Sequence, residues 1–299
     1  MALVFKTEDD KPGALHALIV GKQGAGKTTT LASLLVQKTL LLYSRYHESH
    51  SATYMKSGVS LFEGASVKNL IAVPFDTFQD QDKQIEGLDV SKSIAVGSKL
   101  TADQSIKKIY GYLRAAAEIG VKSVAVDSAL SLFTVFGQSS EWKMLCRTAK
   151  GGTEHNNFEE AKAYLRMHAD LNTLFIDLKD AGINVVMTLP AMEIDGAMKP
   201  HLPMFSIAES LPFLYQDVLI LTDRNTGSEG PIFDFSMSLV AIKKDQNSKV
   251  VKTVNLSPRL HLIPPKHKDI IQELEPNLWY LKDQVDYFIS HRPSAQEEK

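Results

Sequence analysis

Apolar runs alternate with polar stretches along the chain in a way that predicts strands separated by helices. His16-Ala17-Leu18-Ile19-Val20 is short, apolar and β-branched, the pattern of a buried strand, and Leu31, Leu34 and Leu35 then recur at helical spacing. Leu40-Leu41-Leu42-Tyr43-Ser44 and Asn69-Leu70-Ile71-Ala72-Val73 predict two further strands. Thr101-Ala102-Asp103-Gln104 has the form of a capping box and should start a helix running to about Glu118, with Ile106, Ile109, Leu113 and Ala116 or Ala117 facing inward. Gly120 closes that helix, and Lys122 to Ser128 predicts a strand that ends in a carboxylate. From Phe158 to Asp180 the residues Ala161, Tyr164, Leu165, His168, Leu171, Leu174, Phe175 and Leu178 mark one face of a long helix. His168 on that face reads as a core histidine in preference to a ligand. Gly182 stops the helix, and Ile183 to Thr188 predicts the next strand.

Residues 189 to 212 read as irregular, broken by Pro190, Pro200, Pro203 and Pro212, before a strand at Asp217 to Leu221. Phe235 to Ile242 and Val250 to Leu256 predict an antiparallel hairpin on a sheet edge. Strands alternating with helices give βαβ crossovers, so the expected fold class is α/β: a mainly parallel central sheet flanked by helices. The expected organisation is a polar segment over 1–13, one domain over 14–263, and a helical extension with a polar tail over 264–299. Pro264-Pro265 marks that last boundary. The polar stretch 76–100 predicts a long loop or short hairpin, and nothing in it names a role.

Composition narrows the class without naming it. The 299 residues are 44% hydrophobic and 23% charged, ordinary for a globular chain and unlike a disordered one. A net charge of −2 excludes a coat of positive charge, so any nucleic-acid contact has to be a local patch. The single cysteine, Cys146, cannot form an internal disulfide, no apolar run approaches membrane-spanning length, and Glu8, Asp9 and Asp10 stand where a signal peptide would be basic. The expected location is the cytoplasm, with no membrane partner.

The chemistry enters at Gly21-Lys22-Gln23-Gly24-Ala25-Gly26-Lys27-Thr28, which fills every fixed position of G-x-x-x-x-G-K-[ST] between a predicted strand and a predicted helix. Backbone N–H groups can crowd onto phosphate oxygens only where side chains are missing, and the helix N-terminus adds partial positive charge. Lys27 supplies a mobile cation for the β- and γ-phosphates and Thr28 a hard oxygen for Mg²⁺; Thr29 completes the nucleotide-binding stretch. Asp127, ending a β-branched strand about a hundred residues later, has the form of the Walker B carboxylate and is the second expected metal ligand. Glu48, in the polar cluster after the second strand, is the nominee to polarise the attacking water, and it reads equally well as a solvated loop residue. Trp142 with Lys143, Arg147 and Lys150, followed by Gly151 and Gly152, suits a loop that stacks bases and neutralises phosphates, or equally a loop with a half-buried Trp and scattered charge. Lys243 and Lys244 read either as guards against edge pairing or as cations reaching a neighbouring subunit's nucleotide.

In this order of elements the chain resembles the RecA-like branch of P-loop ATPases, and within it the phage-encoded Sak-four type of single-strand-annealing recombination ATPase. The resemblance covers roughly residues 14 to 260 and is carried by Gly21 to Thr28, Val124 to Ser128 and Gly182 to Thr188, then Pro203 and Leu211 to Leu221. It implies Mg²⁺-dependent ATP hydrolysis, homo-oligomers with nucleotide near the subunit interface, single-stranded DNA as partner, and the cytoplasm of a bacterial host. It places Glu48 as the glutamate after the second strand and Lys243 and Lys244 as cations reaching across to a neighbour's γ-phosphate. One departure is that Leu189-Pro190 follows the strand ending at Thr188, where such proteins usually carry a polar γ-phosphate sensor. Two other functions fit the same motif: an ATP-driven packaging or helicase-like motor subunit, and a nucleotide-bound assembly protein with little turnover. A small-molecule kinase fits less well, because no Arg-rich lid is evident.

Overall fold

The computed structural model describes residues 14–88, 94–141, 143–144, 169, 171, 173–194, 197–200, 218–226, 233–244, 250–255 and 260–262, with side-chain surroundings as far as Ala191. The first apolar run forms β1 (His16–Gly21), buried along its whole length, and leads through the glycine-rich loop into α1 (Lys27–Thr30). The helix tightens at once into a 3₁₀ segment over Leu31–Val36, a poorer hydrogen-bond geometry. Its stabilisation comes from packing. Leu31, Leu34 and Leu35 are all fully buried, and burial of one such side chain is worth roughly 1.5–3 kcal/mol.

β2 (Thr39–Tyr43), α2 (Ser51–Gly58), β3 (Leu70–Pro74), α3 (Ala102–Ala115), β4 (Ser123–Asp127), α4 (Ala129–Gln138) and β5 (Asn184–Ile194) follow. Strands β3, β2, β4, β5 and β1 lie side by side in that order, all parallel, and β7 (Val218–Thr226) continues the parallel set beyond β1. β5 therefore sits between the strand that feeds the glycine loop and the strand that ends at Asp127. The fold is α/β. Beyond β7, β8 (Phe233–Lys244) runs antiparallel and pairs antiparallel with β9 (Val250–Asn255) and β10 (Leu260–Leu262); residues 245–249 lie outside the described residues.

One face of the sheet buries Leu18, Val20, Leu40, Leu42, Val124, Val126, Val185 and Met187 against α3, α4 and a helical stretch over 173–180. The other buries Ala17, Ile19, Leu41, Ala125 and Val186 against the glycine-loop helix and Met55 of α2. Alternate residues of each strand thus serve opposite layers, as the period of 2 requires. Asn184 ties three strand starts together: its side-chain oxygen accepts the Leu15 N–H at 2.8 Å and its amide donates to the Lys122 carbonyl at 3.0 Å.

The predicted capping box is present, with Thr101 accepting from the Gln104 N–H, and Ile109, Leu113 and Ala116 of the predicted inner face are buried while Ala117 is exposed. Two expectations are corrected. α2 was not foreseen, because only Met55 and its neighbours mark an apolar side on a polar octapeptide. β5 does not end at Thr188. It runs on through Leu189-Pro190 to Ile194 and pairs antiparallel with β6 (Ala197–Pro200), so the start of the stretch expected to be irregular is a hairpin. Proline is tolerated there because β5 is leaving the sheet. The short hairpin allowed for 76–100 is present, with Thr77 bridging antiparallel to Lys99, and it is anchored by apolar burial: Phe75 just before it and Phe78 within it are buried. Within it Asp82 pairs at 2.5 Å with Lys108 of α3, both side chains 0% exposed, while Lys108 also donates to the Thr77 carbonyl at 2.7 Å and Asp82 accepts from Tyr112 and from the Gln79 N–H.

The predicted helix over 158–180 is described only at 169, 171 and 173–180, so His168 lies outside the described residues, as do 1–13 and 263–299. No helix among the described residues is long and apolar enough to cross a membrane. Gly58 of α2 lies so close to the glycine-loop helix that a Cβ there would stand 2.9 Å from Ala32 Cβ and 3.2 Å from the Thr29 carbonyl. Gly58→Ala is expected to lower stability by about 1–3 kcal/mol, read from a urea melt.

Candidate active site

The glycine loop lies at the carboxyl edge of the parallel strands, where open α/β sheets take their ligands. Gly24 and Gly26 hold positive φ of 79° and 81°, which residues with a Cβ adopt at a cost, so the tight curl of Gly21 to Lys27 depends on glycine at both places. Ala25 is buried beneath the loop, while Lys22, Gln23 and Gly24 are exposed. The Lys27 ammonium folds back over the loop and donates to the carbonyls of Gly21 and Lys22, each at 2.8 Å. Burial pulls its pKa below the usual lysine value, and the nearby Asp127 carboxylate partly restores it.

Thr28, one residue on, donates its hydroxyl to Asp127 Oδ2 at 2.8 Å. Asp127 Oδ1 accepts from the Thr188 hydroxyl on neighbouring β5. The carboxylate is thus 3% exposed and aligned by two hydroxyls, one from the loop helix and one from the adjacent strand. Thr28 Oγ1 and the Asp127 carboxylate are hard oxygen donors side by side, the set that Mg²⁺ takes when phosphate oxygens and water complete its shell.

Glu48 sits in the turn after β2, which neighbours β4 in the sheet. Its carboxylate is not solvated as a loop residue's would be: Oε1 accepts from the Ser128 hydroxyl at 2.8 Å, and the Ser131 hydroxyl lies 2.5 Å from Oε1 and 2.6 Å from Oε2. Its pKa is raised to about 7 on balance: burial pushes it up most, the two serine hydroxyls pull it down, and Asp127 and Asp76 push it up. A carboxyl group that titrates near neutrality is suited to proton transfer at physiological pH.

The turn that carries Glu48 is fixed from below by Asp76. That carboxylate, 6% exposed just beyond β3, accepts from the Ser44 hydroxyl at 2.5 Å, the Arg45 N–H at 2.8 Å and the Tyr46 N–H at 3.2 Å. Asp76→Asn offers one acceptor oxygen where three donors converge, so the turn should loosen. Turnover of the reaction proposed below is expected to fall about 10–100-fold with nucleotide affinity nearly unchanged, checked by steady-state kinetics beside equilibrium binding.

Of the residues nominated from sequence, Lys27, Thr28, Asp127 and Glu48 are thus brought to one edge. Lys143 is exposed just past α4, while Trp142, Arg147 and Lys150 lie outside the described residues. Lys243 and Lys244 end β8. Register places Gly21 level with Thr222 and Met237, and Val218 level with Ala241, so the two lysines stand at the opposite edge of the sheet from their own glycine loop. Sequence reading missed Asp76, Ser128, Ser131 and Thr188. The available signals were a carboxylate just past a predicted strand and the Ser-x-x-Ser spacing after Asp127.

No protein-family model matches the chain, and no curated protein does. Among solved structures, a KaiC-like protein from the hyperthermophilic archaeon Pyrococcus horikoshii is similar at 13% identity, with 85% of this chain and 91% of that chain covered and a TM-score of 0.36.

Proposed function

We propose that this chain is a Mg²⁺-dependent ATPase of the RecA-like kind that assembles on single-stranded DNA and works in recombination or annealing. The observation that carries the ATPase part is the convergence at one sheet edge of the glycine loop, the Thr28–Asp127 hydrogen bond and the half-buried Glu48. In the mechanism, amides of the loop and Lys27 receive the β- and γ-phosphates and stabilise charge that builds on the transferring phosphoryl group. Mg²⁺, held by Thr28 Oγ1 and the Asp127 carboxylate, would neutralise phosphate charge when bound. Glu48 orients a water for in-line attack and takes its proton on the carboxylate. Thr188 keeps the Asp127 carboxylate turned toward Thr28. The DNA and oligomer parts rest on the sequence resemblance, on the aromatic and cationic composition of 142–150, and on the place of Lys243 and Lys244.

The test is phosphate release from ATP by the purified protein, with and without Mg²⁺ and single-stranded DNA, at about 50 and about 200 mM salt. Mg²⁺-dependent turnover, raised by DNA and less so at the higher salt, is the expected result. Turnover indifferent to DNA would discard the DNA partner in favour of a motor or another assembly. Nucleotide binding without turnover would leave a nucleotide-bound assembly protein, and no binding at all would discard the whole reading.

A further inference from the structure

Ser131 stands in the first turn of α4, 3% exposed, three residues after Ser128, which caps that helix. A serine at this third helical position of a Ser-capped helix is too short to reach back to the cap, as a glutamate or glutamine there would do. The carboxylate near that first turn comes instead from Glu48, on a turn 83 residues earlier in the chain. Both serine hydroxyls meet that one carboxylate, and Ser131 is within hydrogen-bond distance of both oxygens.

We propose that Ser131, seconded by Ser128, is a positioning residue for Glu48: its hydroxyl holds the carboxylate in one orientation and keeps it ionised for its work on water. The inference rests on the ATPase reading above for that work, but not for the hold itself.

The electrostatics say why a hold is needed. Charged groups around Glu48 are Asp127 at the end of β4 and Asp76 beyond β3, both acidic; Lys27 of α1 lies beside Asp127, and Arg45, His47 and His50 of its own turn are exposed. Burial and two like charges favour the protonated form, and the hydroxyls oppose them. The N-terminal turn of α4 adds partial positive charge to the same end. A hydroxyl has one proton, so Ser131 serves one oxygen at a time and leaves the other with a lone pair for water.

The test is Ser131→Ala, with Ser131→Thr as the variant that restores a hydroxyl and Glu48→Gln as the assignment control. Glutamate carboxyl carbons are followed by ¹³C NMR across pH 4 to 10, and the pH profile of ATP turnover is measured in parallel. In the native protein one carboxyl should titrate near 7 and be missing in Glu48→Gln. In Ser131→Ala it should titrate about one pH unit higher, because a hydrogen bond to the charged form is gone. The acid limb of kcat should move up by the same amount with KM within about twofold, and Ser131→Thr should return both toward the native position. A Glu48 titration unmoved in Ser131→Ala overturns the proposal, even if activity falls, since a packing defect would lower activity without moving it. If the NMR titration moves and the kinetic limb does not, or no turnover is found, the hold by Ser131 stands and the assignment of Glu48 to hydrolysis is what fails.

Discussion

Lys27→Ala is expected to reduce ATP turnover by at least about 10²–10³-fold, the loss typical when one preorganised donor to a developing charge is removed. It should weaken nucleotide binding as well, because the ammonium is the only side-chain cation of the glycine loop that is drawn in beside Asp127. Phosphate release at saturating ATP, with binding of a fluorescent ATP analogue, separates the two effects. The loss should not come from unfolding. Burial already lowers the Lys27 pKa, which means the folded state resists that charge, and alanine relieves the cost. A melting temperature within a few degrees of native is expected, and a variant that keeps more than a tenth of its turnover would remove the phosphate loop from the mechanism.

Glu48→Gln is expected to lower kcat by about 10²–10⁴-fold with ATP affinity retained, the range for loss of a positioned base. It carries a second expectation of opposite sign. The folded-state pKa of Glu48 stands at about 7, above the ordinary value of 4.5. Between those values the folded state binds the extra proton, so stability falls as pH rises through the window, and the cost is fully present above about pH 7 and absent below 4.5. Glutamine carries no charge to bury and can still meet both serines. The variant should therefore melt higher than native at pH 8 and close to native at pH 4, a gain in stability at the expense of activity. Equal melting at both pH values would show that the carboxylate is not held against its solvation.

The parts of this molecule legible from sequence are those written locally. Gly21 to Thr28 specify their own conformation, the β-branched run before Asp127 specifies its strand, and Thr101 with Gln104 specifies the start of α3. Glu48 could only be nominated, because what separates an active carboxylate from a solvated one is its partners, and Ser128 and Ser131 are 80 and 83 residues away. Asp76 shows in the sequence only as a carboxylate just past a strand, and its role stays hidden for the same reason: its three donors lie across a strand pairing, not along the chain. Pro190 read as the end of β5, since proline cannot serve a central strand; it stands where β5 passes from one pairing to another. α2 is short, and its polar side outweighs the few residues it packs inward.

The buried pair of Asp82 and Lys108 has a consequence for how the protein opens. The segment from Gln79 to Ile85 has a five-residue 3₁₀ helix, Asp80–Gln84, and no strand of its own, the outward form of a surface loop that would fluctuate freely. Yet freeing it means separating two ions from one another and from their remaining partners inside α3's packing. Local opening of that kind leaves an uncompensated charge in the interior and is costly. The segment is thereby enrolled in the cooperative unit of the domain: its amides should exchange with solvent on the timescale of the core strands, not that of the glycine loop.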